Sequence, residues 1–162
     1  MKTRIGLALI SVAVLSGCAA TVNLATPEAS TQAKQFARPA AGKAGLYVFR
    51  DSSFGHALKK DVWVNGRCLG ESAPRTFFFT EVAGNTRHKI ETASEFSPNA
   101  LEVPVQSGRN YFVRQYIKLG VFVGGANLEL VPEDQGKTAI AGLELAQPGT
   151  CALATPSTPA AK

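Results

Sequence analysis

The chain is 162 residues long, 45% hydrophobic and 18% charged, with 17 Lys and Arg against 12 Asp and Glu for a formal net charge of +5. That length suits one domain. The cations are scattered, with Lys59-Lys60 as the only adjacent basic pair, so the concentrated basic face that nucleic-acid binding needs is missing. His56, Cys68, His88 and Cys151 stand singly, which excludes the paired Cys-His spacing of a zinc site and leaves no metal or cofactor to expect.

The chain opens with MKTR, carrying Lys2 and Arg4, and runs through eleven uncharged, mostly apolar residues from Ile5 to Leu15. A basic start, a short apolar core and small residues at its end make a secretory signal peptide. As a helix those eleven residues reach about 16 Å, roughly half of a bilayer's ~30 Å hydrocarbon core, so a spanning helix is the weaker reading. Leu15-Ser16-Gly17-Cys18 resembles the lipobox of bacterial lipoproteins. The resemblance implies acylation of the Cys18 thiol, cleavage just before it, and a mature chain held on a membrane by palmitate-like chains. Ala19 in place of aspartate implies, in the same family, the outer membrane with the domain facing the periplasm. The alternative is an ordinary secretory cleavage at Ala19 or Ala20 that discards Cys18.

Removing residues 1–17 leaves 145 residues, with 15 cations against 12 acids and a charge of +3. With Cys18 acylated, Cys68 and Cys151 remain in an oxidising compartment, where a disulfide is expected. It would close a loop of about 83 residues and contribute up to ~4.5 kcal/mol in the chain-entropy description. Two free thiols are the alternative.

In chain order, residues 18–44 are rich in Ala, Thr, Ser and Pro without periodicity and predict a lipidated N-terminus followed by a flexible tether. Such a coil would span roughly 28 Å, and about 85 Å when stretched. Residues 45–146 predict the folded domain, and 147–162 a Pro/Ala/Thr-rich tail, disordered beyond Cys151. Leu46–Arg50 is a short β-favouring run. In DVWVNGRCLGE, Asn65-Gly66 separates two apolar runs, a strong hairpin signal in which both turn residues tolerate positive φ. Alternation puts Val62 and Val64 on one face and Trp63 on the other; in RTFFFTEV, Phe77 and Phe79 oppose Phe78. A turn at AGNT leads into RHKIETA. LEVPVQSGRNYFVRQYIKLGVFVGGANLELV then holds a strand, a Ser-Gly turn, a long strand and a further strand ending near Val131. Pro132, Glu133 and Asp134 suit the start of one short C-terminal helix that Gly136 weakens and Gly142 ends. The expected fold is all-β: a small antiparallel β-sandwich or open barrel.

The segments GLYVFR, DVWVNGRCLGE, TFFFTEVAGNTRHKI, G-x-N-Y-F-V-R at Gly108–Arg114 and LELVPED resemble an uncharacterised domain family found mostly in bacterial lipoproteins. The V-x-V-N-G hairpin also resembles PEGA-type β-sandwiches. These motifs are turns and strand patterns, so they imply fold and address rather than chemistry.

A nucleophilic site would need Ser or Cys, His and a carboxylate together. Asp51, Ser52, Ser53 and His56 lie close in sequence but suit a polar loop, and His88 between Arg87 and Lys89 suits a partly exposed strand position. No enzyme is expected. GVFVGG lacks the lysine and spacing of a phosphate loop. For binding, YFVRQYIKLGVFVGG is the informative stretch. Tyr111, Val113, Ile117, Leu119, Val121 and Val123 alternate onto one face; Phe112, Arg114, Tyr116, Lys118 and Phe122 fall on the other. That second face is either covered core or an apolar-cationic strip for an envelope protein, a glycan or lipid headgroups. Trp63 is likewise either core or an exposed platform. Arg114, Tyr116, Lys118 and Trp63 are the expected contact residues of a non-catalytic envelope interaction module. A carrier of a small apolar or glycan ligand, using a cavity lined by Phe77, Phe79 and Val113, is the alternative.

Overall fold

The structure, a computed structural model, describes residues 19–153. The signal segment, Cys18 and the last nine residues of the tail lie outside the described residues. Two sheets face each other. The larger holds β1 (Lys43–Arg50), β4 (Thr76–Ala83), β7 (Asn110–Lys118), β8 (Gly125–Val131) and the two-residue β9 (Glu144–Leu145), in the order β8-β7-β1-β4-β9. The smaller is β3-β2-β5-β6, from β2 (Lys60–Val64), β3 (Arg67–Ser72), β5 (Thr86–Thr92) and β6 (Asn99–Val105). No barrel closes. The sandwich is as expected, but the larger sheet is mixed, because β1 runs parallel to β7 and β4 parallel to β9.

The space between the sheets is filled by Leu46 and Val48 of β1, Val62 and Val64 of β2, Phe78 of β4, Ile90 of β5, Val103 of β6 and Val113 of β7. Phe78 and the valines of β2 take the faces that alternation assigns to them. On the outer side of the larger sheet, Tyr47, Phe49, Phe77 and Phe112 form a second core with Ala33, Ile140 and Leu143. The cover there is α1 (Pro27–Ala33) and α2 (Glu133–Ala141). α2 is the predicted C-terminal helix, with Pro132 at its N-cap and Gly142 at its C-cap. Gly136 is tolerated in it because the helix lies directly on Phe112: a Cβ there would come within 2.3 Å of the ring.

Residues 19–44 differ from the flexible tether expected of them. The Thr26 hydroxyl caps the N-terminus of α1 with Pro27 next in line, Leu24 bridges to Ala146, and the Tyr47 hydroxyl donates to the Ala33 carbonyl at 2.9 Å. Phe36 packs its ring against Tyr47 and Phe112. This segment shows no periodicity because it is held by backbone bonds and one aromatic anchor rather than by a long amphipathic face. The fold also extends past residue 146. Cys68 and Cys151 form a disulfide with Cα atoms 5.9 Å apart, and the buried Asp61 carboxylate accepts the Ala152 and Leu153 N–H groups at 3.0 and 2.8 Å.

Candidate functional site

The strand directions sort the loops between two ends of the sandwich. β1 and β7 run in parallel and finish together, Phe49 opposite Arg114. β2 begins, and β3 and β5 end, on that same side, since Lys60 pairs with Ser72 and Val62 with Thr92. One end therefore carries the β1–β2 loop (51–59), the β5–β6 loop (93–98) and the β7–β8 loop (119–124). The opposite end carries the tight turns: Asn65-Gly66, with both φ values positive (52° and 73°) as a type I′ turn requires, Gly84-Asn85, and residues 106–109.

The first end is apolar on its surface. Leu119 and Phe122 are each 84% exposed and Phe96 77%, and Phe54, Val121 and Val123 are exposed beside them. These are six of the nine large hydrophobic side chains exposed among the described residues. Scattered apolar residues are ordinary on a surface, whereas a cluster confined to loop tips marks a contact site.

The tips are held in place by polar groups beneath them. The Glu95 carboxylate accepts the backbone N–H groups of Val121 (2.7 Å), Phe122 and Val123 (3.1 Å). Burial pushes the Glu95 carboxyl up, but the three N–H bonds and the charge of Lys60 outweigh it and hold it below the ordinary value. Gly120 permits the tight path, since a Cβ there would sit 1.7 Å from the Val123 carbonyl oxygen. Glu95, Gly120 and Val121, together with Ser94, Lys118 and Leu119, line an open hollow of about 370 Å³. On the neighbouring loop, the buried Arg50 guanidinium donates to the carbonyls of Leu58 (2.7 Å), Phe54 (3.1 Å) and Gly55 (2.7 Å). Its desolvation lowers its pKa. Behind the tips a buried amide links the sheets: Gln115 accepts from the Ser72 hydroxyl and donates to that of Thr92 at 2.6 Å.

The four expected contact residues separate. Trp63 has 0% exposure and is core, so it offers no platform. It projects beside Cys68, its register partner, and on the same face as Asp61. Both hold residues 151–153, so the C-terminal segment lies over that face. Arg114 and Tyr116 are half-exposed on β7. Arg114 is engaged by Asp51 (2.9 Å) and Glu129 (3.2 Å), and the Asp51 hydrogen bond raises its pKa most. The Tyr116 hydroxyl accepts from the Asn127 amide at 3.1 Å. Lys118 is exposed and belongs to the loop end. The alternation expected of this stretch holds along β7, with Val113 between the sheets and Phe112 on the other face, where α2 covers it. It fails beyond the strand, which stops at Lys118, so Leu119, Val121 and Val123 are exposed loop residues rather than core.

The residues weighed for chemistry have structural partners. Ser52 Oγ accepts the Phe54 N–H at 3.0 Å and Asp51 pairs with Arg114. His88, expected to be partly exposed, is buried. Its Nε2 meets the Ala83 carbonyl at 2.8 Å and its Nδ1 the Asn65 amide at 2.7 Å. The Asn65 Oδ1 accepts the Lys89 N–H, which leaves the Asn65 NH₂ to donate to His88 Nδ1 and makes Nε2 the proton-bearing nitrogen. The carrier cavity does not form as expected: Phe77 packs outward under the helices and Val113 inward between the sheets, so no single cavity is lined by both. Sequence reasoning missed Arg50, Glu95, Gly120 and Gln115. Only Gly120, within a glycine-flanked apolar run, left a signal.

The protein is thus a β-sandwich with helices over one face and an ordered, apolar loop end. A family described as protein of unknown function (DUF2846) matches residues 40–126, and the chain belongs to that family. An uncharacterized protein of Haemophilus influenzae is 51% identical over 138 residues, covering 85% of this chain and 82% of that protein. No solved structure matches the chain.

Proposed function

We propose that this chain is a lipid-anchored protein of the bacterial outer membrane, facing the periplasm, that works by binding rather than by chemistry. The observation that carries the reading is the Cys68–Cys151 disulfide. It suits an oxidising compartment and leaves Cys18, in Leu15-Ser16-Gly17-Cys18, as the one remaining cysteine, in position for acylation. The non-catalytic half is supported by the partners of Asp51, Ser52 and His88, which tie each of them to the scaffold. The PEGA-like kinship belongs to the same reading and is supported by the Asn65-Gly66 turn.

Arg114, Tyr116 and Lys118 form the flank of β7 that leads to the loop end, and this flank is the surface offered to an envelope protein or glycan. Two or three acyl chains fix the domain near the membrane and raise its effective concentration towards such partners. Cys18→Ala is expected to accumulate as unprocessed precursor without lipid label. In-cell crosslinking of the wild type is expected to capture a discrete partner that an Arg114→Ala/Tyr116→Ala/Lys118→Ala protein loses. Normal maturation of Cys18→Ala overturns the anchor, and an unchanged capture by the triple variant overturns the surface.

A further inference from the structure

The first residues described sit at the apolar end. The Ala20 N–H donates to the His56 carbonyl at 2.8 Å, and His56 belongs to the same β1–β2 loop as Phe54. Two residues of chain reach at most about 7 Å, so Cys18 lies within that distance of Ala20. The expected tether of tens of ångströms is thereby reduced to Ala19.

We propose that the loop end of the sandwich is a membrane-contact surface, with Phe54, Phe96, Leu119 and Phe122 entering the headgroup and upper acyl region of the leaflet that holds the lipid on Cys18. This rests on the acylation of Cys18 proposed above. Three observations select a lipid surface. The exposed apolar side chains concentrate at this end, and Glu95 and Arg50 fix the loops that present them rather than letting them fold back. Lys118, exposed at the edge of the cluster and without an ion pair among the described residues, suits the phosphate level of a leaflet. The short link leaves no space for another protein: one helix alone is about 10 Å thick, more than the reach from Ala20 to Cys18. The opposite end, with Arg67, Arg87 and Arg109 exposed, then points away from the membrane.

The test uses the full chain, purified from membranes and reconstituted into phosphatidylethanolamine–phosphatidylglycerol vesicles with brominated acyl chains. Trp63 is buried, so the wild type sets the background emission. Phe122→Trp and Phe96→Trp report on the loop end and Gln106→Trp on the far end. Tips lying about 5–10 Å into the interface shift their emission to the blue and lose roughly half of it to bromine, while Gln106→Trp keeps its own. Absence of quenching at both loop positions in vesicle-bound, acylated protein overturns the contact and leaves the anchor standing. Equal quenching at all three positions overturns the orientation. A mass showing Cys18 without lipid overturns the anchor reading, and the contact with it.

Discussion

Arg50 is fully buried and pairs with no carboxylate among the described residues; its role is to gather three carbonyls of the β1–β2 loop. Removing it strands those oxygens as well as the packing of the side chain. Arg50→Ala is therefore expected to cost about 3 kcal/mol in urea unfolding, and Arg50→Lys to recover only part, since an ammonium lacks the planar fork that spans the set. A loss within experimental error would contradict this role. Glu95 gives a pH dependence. Its carboxyl is held below the ordinary 4.5, so its hold on the Val121–Val123 backbone is complete above that value and is lost as pH falls through the lowered pKa. Amide resonances of Val121–Val123 are expected to titrate with a midpoint below 4.5; a midpoint at or above it would place the carboxylate outside the loop. Neither residue was legible in the sequence. Arg50 reads as the polar end of a strand, and Glu95 as one acid in a polar turn, because the contacts that define them are to backbone atoms distant in sequence.

At the scale of elements, the strands were legible where alternation and turn chemistry agree, as at Asn65-Gly66 and across Phe77–Phe79. The parallel pairing of β1 with β7 was not: β1 is buried on both faces from Ala44 to Arg50, so its continuous apolar run carries no record of its neighbour or direction. α1 is seven residues long, too short for a periodicity, although Thr26-Pro27-Glu28 does spell an N-cap, a first-turn proline and a first-turn acid. The C-terminal segment reads as a tail by composition and is a strap by cross-link. Loop closure over 83 residues makes the disulfide worth up to ~4.5 kcal/mol. Reduction is accordingly expected to lower the unfolding midpoint and, because the strap lies over the Trp63 face, to shift the emission of that lone tryptophan to the red. Emission unchanged on complete reduction would mean that Trp63 is covered by the sheet's own side chains instead.

For the whole molecule, the sandwich was legible in the strand pattern, and the proposed address rests on the first twenty residues, but the relation between the two was not legible. That relation lies in one backbone hydrogen bond, from Ala20 to His56, which brings the chain's entry to the apolar end. Under the proposed acylation of Cys18, it replaces the expected long tether with a domain seated close to its anchor, and leaves the flank of β7 and the polar end with its tight turns as the surfaces proposed for partners. Acylation of Cys18 is tested most directly by the intact mass and N-terminal peptide of the protein extracted from membranes. The expected chain begins at Cys18, lacks residues 1–17 and is heavier by its acyl groups. An unmodified N-terminus at Ala19 or Ala20, or retention of residues 1–17 without lipid, would contradict it.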